Sequence, residues 1–215
     1  HYGSVSVGTF AVAVSYMESQ GIAYEKYLTV FVVVLEVPAI IVGVLLAKGI
    51  KSNTQWSKLA HEVFLGKSIL LLLGGLAIGW IAGPEGMTKV KPFFFDLFTG
   101  VLALFLLEMG LVTARQLSSL KNNVIFLVGF GVLAPLALAV VGIAMGFSMG
   151  LSIGGATILA VLLASASYIA VPAAMRISVP SANPTLSLAA SLGITFPFNV
   201  LVGIPIYHQI ATAMY

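Results

Sequence analysis

Two short stretches set pairs of hydroxyl side chains beside flexible backbone: Gly3, Ser4, Ser6, Gly8 and Thr9 in GSVSVGT, and Ser165, Ala166 and Ser167 in ASASYIAVP. A serine hydroxyl donates and accepts hydrogen bonds without charge, so such a stretch can line a polar site within apolar surroundings. Glu36 lies in VVVLEVPAII, and burying a lone carboxylate at mid-membrane costs roughly 3 kcal/mol or more. It is either a sodium or proton site or a carboxyl satisfied by hydroxyls of neighbouring helices. Pro38, two residues on, frees a backbone carbonyl that would help hold a cation. Asn199 follows Pro197 in a similar apolar setting and is expected to face the same cavity as a neutral counterpart. Glu108 in LFLLEMGL is nearer the end carrying Arg115 and reads as interfacial or ion-paired. His1, His61 and His208 show no metal-ligand spacing, and the chain has no glycine-rich phosphate loop, H-E-x-x-H or G-x-S-x-G elbow. The chain is therefore not expected to be an enzyme.

The elements that position these residues follow from composition. Hydrophobic residues are 60% of the chain and charged residues 8%, and mean hydropathy is +1.09, whereas a soluble domain carries about 25% charged residues. Long apolar blocks run from Tyr27 to Leu46, Ser68 to Ala82, Leu97 to Val112, Val124 to Met145 and Leu186 to Tyr207. A helix crosses a bilayer with roughly 20 apolar residues, so five crossings are expected. Of the ten basic residues, Lys48, Lys51, Lys58, Lys67, Arg115, Lys121 and Arg176 fall on one side of such a topology, with Lys26, Lys89 and Lys91 on the other. By the positive-inside rule the first side is cytoplasmic, which makes the connection around Gln55 to Glu62 a surface for a regulator. No secretory signal is recognisable, cysteine is absent, and the scattered basic residues, despite a pI near 9.2, argue against a nucleic-acid partner.

An internal repeat displaced by about 160 residues relates the two serine stretches. GSVSVGTFAVAV (Gly3 to Val14) resembles ASASYIAVPAAM (Ala164 to Met175), and LEVPAIIVGV (Leu35 to Val44) resembles ITFPFNVLVG (Ile194 to Gly203), pairing Pro38 with Pro197 and Gly43 with Gly203. Chance similarity between apolar segments is the alternative. Residues 1–48 read as the last part of a first repeat, 49–66 as a cytoplasmic connection and 67–215 as a complete second repeat. An odd number of intervening crossings inverts one copy. Leu151 to Leu163 is too short to cross alone, and Pro172 suits the first turn of a new helix, so a helix, a break and a second helix are expected. A broken helix presents bare N–H groups at a positive end and bare C=O groups at a negative end, and can hold an anion and a cation side by side. Packing of small residues between helices is the bland alternative for any one serine. On this reading Gly3, Ser4, Ser6, Thr9, Ser165, Ala166 and Ser167 bind the anion, while Glu36, Ser6, Ser167 and Asn199 hold sodium. The fold class is all-α: a polytopic helical membrane protein of inverted repeats, with discontinuous helices crossing near mid-membrane.

HYGSVSVGTF, LEVPAI, ASASYIAVPAAMR, PSANP and SLGITFPFNVLVGIPIY resemble the SbtA-like sodium-dependent bicarbonate transporter family, typified by a cyanobacterial protein, over nearly the whole chain. The resemblance implies two inverted five-helix repeats, with about the first three crossings not represented here. It further implies a homotrimer in the inner (plasma) membrane, bicarbonate and sodium bound between two broken helices, and cytoplasmic inhibition by a PII-like protein. Ser4 and Ser6 would belong to the first break and Ser165 and Ser167 to the second, and Glu36 stands where the cyanobacterial protein has aspartate. That protein also has serine at the position of Gly8 and aspartate at that of Tyr168, departures that bear on the substrate. A membrane sensor without flux and Na+/H+ exchange through Glu36 are the alternatives to sodium-coupled anion uptake.

Overall fold

The computed structural model describes residues 2, 4–48, 57, 61, 65, 67–117, 124–181 and 183–215. Regular structure among the described residues is helical, apart from one isolated antiparallel bridge between Tyr2 and Ala166. Helix α1 (Val7–Ser19) begins where Ser6, in extended backbone, accepts the Thr9 amide on its Oγ at 3.2 Å. A 3-10 turn (Lys26–Leu28) leads into α2 (Thr29–Lys48). The 20 residues of α2, at about 1.5 Å each, match the roughly 30 Å hydrocarbon thickness of a bilayer.

Beyond the connection 49–66, most of which lies outside the described residues, come α3 (Lys67–Lys91), a π-helical stretch Pro92–Asp96 and α4 (Phe98–Leu117). Here the structure corrects the sequence reading. The expected crossings at Ser68–Ala82 and Leu97–Val112 fall within one helical run, Leu70–Arg115, so four runs rather than five are long and apolar enough to span. Lys89 and Lys91, expected in a loop, are helical. Gly83, at φ 61 and ψ −178, makes the break instead, in a conformation that disfavours any side chain, and Pro84 starts a new helical turn. Gly83 divides this run of 46 residues into arms of about 20 and 48 Å, of which only the second is long enough to cross on its own.

Helix α5 (Val124–Ser148) ends at Gly150, whose φ of 69 allows the Leu151 amide to reach Gly146 O at 3.0 Å. Helix α6 (Ile153–Ala164) follows, capped by Ser152, whose Oγ accepts the Gly155 amide at 3.1 Å. Glu25 closes the same end from outside: its carboxylate accepts the Ser152 amide at 2.8 Å and the Ser152 hydroxyl at 3.1 Å. Helix α6 is apolar all round, and all but two of its twelve residues are buried, as a central helix must be. It lies against α5 with backbones in near contact, since a methyl on Gly142 would sit 2.6 Å from Ala160 Cα.

The chain continues through α7 (Ala170–Ser178), with Pro172 in its first turn as expected, and α8 (Pro184–Ala190), where Asn183 Oδ1 accepts the Thr185 amide at 3.0 Å. From there π-helical stretches at Ser191–Thr195 and Asn199–Gly203 flank Phe196–Phe198 and lead to α9 (Ile204–Met214). Pro197 and Pro205 lack the N–H that an α-helical ladder needs, and the π register absorbs each missing bond without ending the helix. Met17, Leu28, Val32, Ile143, Ile158, Leu162 and Ile204 join α1, α2, α5, α6 and α9 in one core. Outward-facing Trp80, Ile81 and Ile125 remain at least 85% exposed, a surface for lipid rather than water. The chain is a multi-pass helical membrane protein.

Candidate functional site

Helix α6 stops at Ala164, and Ser165 turns to extended backbone (φ −85, ψ 167); helical structure resumes at Ala170. The stretch preceding α1 meets this gap. The Ser6 amide donates to Ser165 Oγ at 2.9 Å, and the Ser167 amide donates to Ser4 Oγ at 3.1 Å. Exchanging Ser4 with Ser165 and Ser6 with Ser167 converts one hydrogen bond into the other. Ser165 Oγ also donates to Leu162 O at 2.8 Å, satisfying a carbonyl in the last turn of α6. All four serines are buried, so these bonds replace the water that would otherwise serve the backbone.

Glu36 enters from α2. It is 2% exposed; its Oε1 accepts the Ser167 hydroxyl at 3.4 Å, and its Oε2 has no hydrogen-bond partner. Ser6, Glu36, Ser167 and Tyr168 line a cavity of about 430 Å³ whose remaining wall includes Leu71 of α3 and Phe98, Val101 and Phe105 of α4. Val7 and Gly8 also line it, and amides in a helix's first turn have no acceptor within the helix, so the positive end of α1 opens here. The Tyr168 hydroxyl bonds to the Ser6 side chain and rests over Gly8, where a methyl would sit 2.7 Å from it. Edge-to-face contact with Phe196, ring centroids 5.7 Å apart, fixes the Tyr168 ring.

The remaining expected site residues divide. Ser4 lines a separate cavity of about 160 Å³ with Tyr2, Ile40 and Gly43. Thr9 is tied to Ser6, its hydroxyl donating to Ser6 Oγ at 3.0 Å, and Ala166 is buried in the bridge to Tyr2. Gly3 lies outside the described residues. Asn199 does not face Glu36 as expected: its Nδ2 donates to Ala164 O at 3.0 Å, and its Oδ1 accepts the Tyr207 hydroxyl at 2.6 Å. The end of α6 and the fully buried Tyr207 use both ends of that side chain, leaving it engaged away from the cavity. Sequence reasoning did not assign Tyr168, Tyr207 or the α4 wall to the site. The aromatic amid small residues in ASASYIA was the one signal for the first of these.

No cluster of three or more His, Asp or Glu side chains suited to a metal exists among the described residues. A hard monovalent cation needs only oxygens, and the unpartnered Glu36 Oε2, with the Ser167 hydroxyl bonded to Oε1 and Ser6 lining the same cavity, supplies oxygens of that chemistry. Fold and site together define a multi-pass helical membrane protein with a polar crossing of two chain segments and a lone buried carboxylate beside it. The chain belongs to the Na+-dependent bicarbonate transporter superfamily, whose family model matches residues 1–212. Comparison with curated proteins gave no match.

Proposed function

We propose that this chain is a secondary transporter coupling sodium to uptake of bicarbonate or a similar small anion through the cavity at Ser6, Glu36 and Ser167. One observation carries the reading: Glu36 is buried in an apolar helix with one carboxylate oxygen lacking any partner. Leaving a buried charge unmatched is costly, and a sodium ion held by Glu36, Ser167 and Ser6 removes that cost. The same ion offsets the carboxylate's repulsion of an anion drawn to the amides of α1, so the two solutes favour each other's binding.

The interchangeable serine contacts support two inverted repeats with a broken helix in each, residues 1–48 ending the first and 67–215 forming the second. Family membership favours bicarbonate as the anion. A homotrimer in the inner membrane, regulated by a PII-like protein docking at 49–66, completes the reading on the strength of the sequence resemblance. In proteoliposomes an inward sodium gradient should drive radiolabelled bicarbonate uptake, and Ser6→Ala or Ser167→Ala should lower it at least tenfold. Uptake indifferent to sodium, or unchanged in both variants, would refute the proposal. The lone oxygen also favours a second reading, Na+/H+ exchange through Glu36. In that case a sodium pulse without any transportable anion shifts lumenal pH.

A further inference from the structure

The hydroxyl protons around Ser6 can be assigned one by one. Ser6 Oγ accepts the Thr9 amide at 3.2 Å and the Thr9 hydroxyl at 3.0 Å, which takes both lone pairs of a serine oxygen. Its own proton is then the one given to Tyr168. Tyr168 is therefore the acceptor in that bond, and its phenolic proton is left to donate into the cavity that both residues line. That hydroxyl stands at the amide end of α1. A methyl on Gly8 would sit 2.7 Å from it, and a helical Cβ leans toward the N-terminus of its helix. The amides of Val7 and Gly8, first in α1, have no acceptor within the helix, and both residues line the same cavity.

We infer that Tyr168 binds the anion, its hydroxyl donating to bicarbonate beside the first amides of α1, and that Gly8 is the clearance this hydroxyl requires. The inference rests on the sodium-coupled anion reading and adds to it a ligand outside the paired serines. Among the described residues no lysine or arginine lines the cavity. The anion therefore depends on sodium at Glu36 for opposite charge and on neutral hydroxyl and amide donors for its hydrogen bonds. A phenol suits that place because it donates without adding a charge that would compete with sodium for Glu36. Its ring is held edge-on to Phe196, centroids 5.7 Å apart, so the proton is presented from a fixed position. Any side chain at Gly8 would push the hydroxyl and the Phe105 ring aside.

Sodium-driven uptake of radiolabelled bicarbonate into proteoliposomes, measured over a range of bicarbonate concentrations, tests this. Tyr168→Phe keeps the ring against Phe196 and removes one oxygen. It should raise KM for bicarbonate about tenfold or more, as the loss of a hydrogen bond to a charged group does, with Vmax within about twofold of the unaltered protein. Gly8→Ala, which displaces the same hydroxyl, should raise KM in the same way, and the double variant should be no worse than Tyr168→Phe alone. Thermal stabilisation by sodium should survive in all three. An unchanged KM in either single variant, or effects that multiply in the double, overturns the inference. A fall in Vmax or a loss of sodium stabilisation in Tyr168→Phe marks the tyrosine as structural and overturns it as well. Absence of sodium-driven uptake by the unaltered protein defeats the transport reading itself.

Discussion

At Glu36 a single oxygen decides between stability and function. A buried carboxylate oxygen without a partner is a cost the fold carries, so Glu36→Gln should raise the melting temperature in sodium-free buffer. The same change should abolish stabilisation by sodium, which for the unaltered protein would reach about 2.7 kcal/mol at a hundredfold excess over Kd. Thermal unfolding with and without sodium reads both effects; a variant that sodium still stabilises would place the cation elsewhere. Tyr207→Phe tests the other side of the gap. It leaves Asn199 Oδ1 unpartnered in the core and should destabilise by about 1–3 kcal/mol, with less effect on sodium stabilisation than Glu36→Gln. The serines and Glu36 were legible because polar residues stand out in apolar segments. The bond from Asn199 to Ala164 O and the seat of the Tyr168 hydroxyl over Gly8 were not, because each joins residues far apart in the chain. Pairing Asn199 with Glu36 by repeat position failed because the carbonyl end of α6 was a nearer partner.

Among the elements, helix length followed apolar block length for α2 and α5, and the short α6 and the place of Pro172 in the first turn of α7 came out as read. The segment after Ala82 did not, since the end of the apolar block and the charges at Lys89 and Lys91 suggested a loop where Gly83 supplies only a sharp bend and helix resumes at once. The π stretches around Pro197 had no sequence signature beyond the prolines, which suit a kink as well as a register change. The close packing of α5 on α6 permits a direct test. Gly142→Leu would press a side chain into the Ala160 backbone and should cost about 1–3 kcal/mol or more in unfolding experiments. Glu25→Gln should cost about 1 kcal/mol by weakening the charged cap on α6, an effect that thermal unfolding should resolve.

For the molecule as a whole, composition alone excluded an aqueous surroundings, and the exposed apolar side chains of α3 to α5 agree. Trp80, 85% exposed, should contact acyl chains. In a Trp56→Phe background its fluorescence should fall on reconstitution into brominated phospholipid, and unchanged emission would mean that protein or water covers it. That the two serine stretches correspond could be suspected from repeated motifs, but the way the two segments hold each other could not, since motif spacing carries no contact geometry. Each segment supplies the hydroxyl that the other's amide needs. Slipping either one by a single residue would strip both amides of their acceptors at once, with no water at hand to replace them. The two segments are therefore expected to move together, so that any motion exposing the neighbouring cavity would fall to the helices around them.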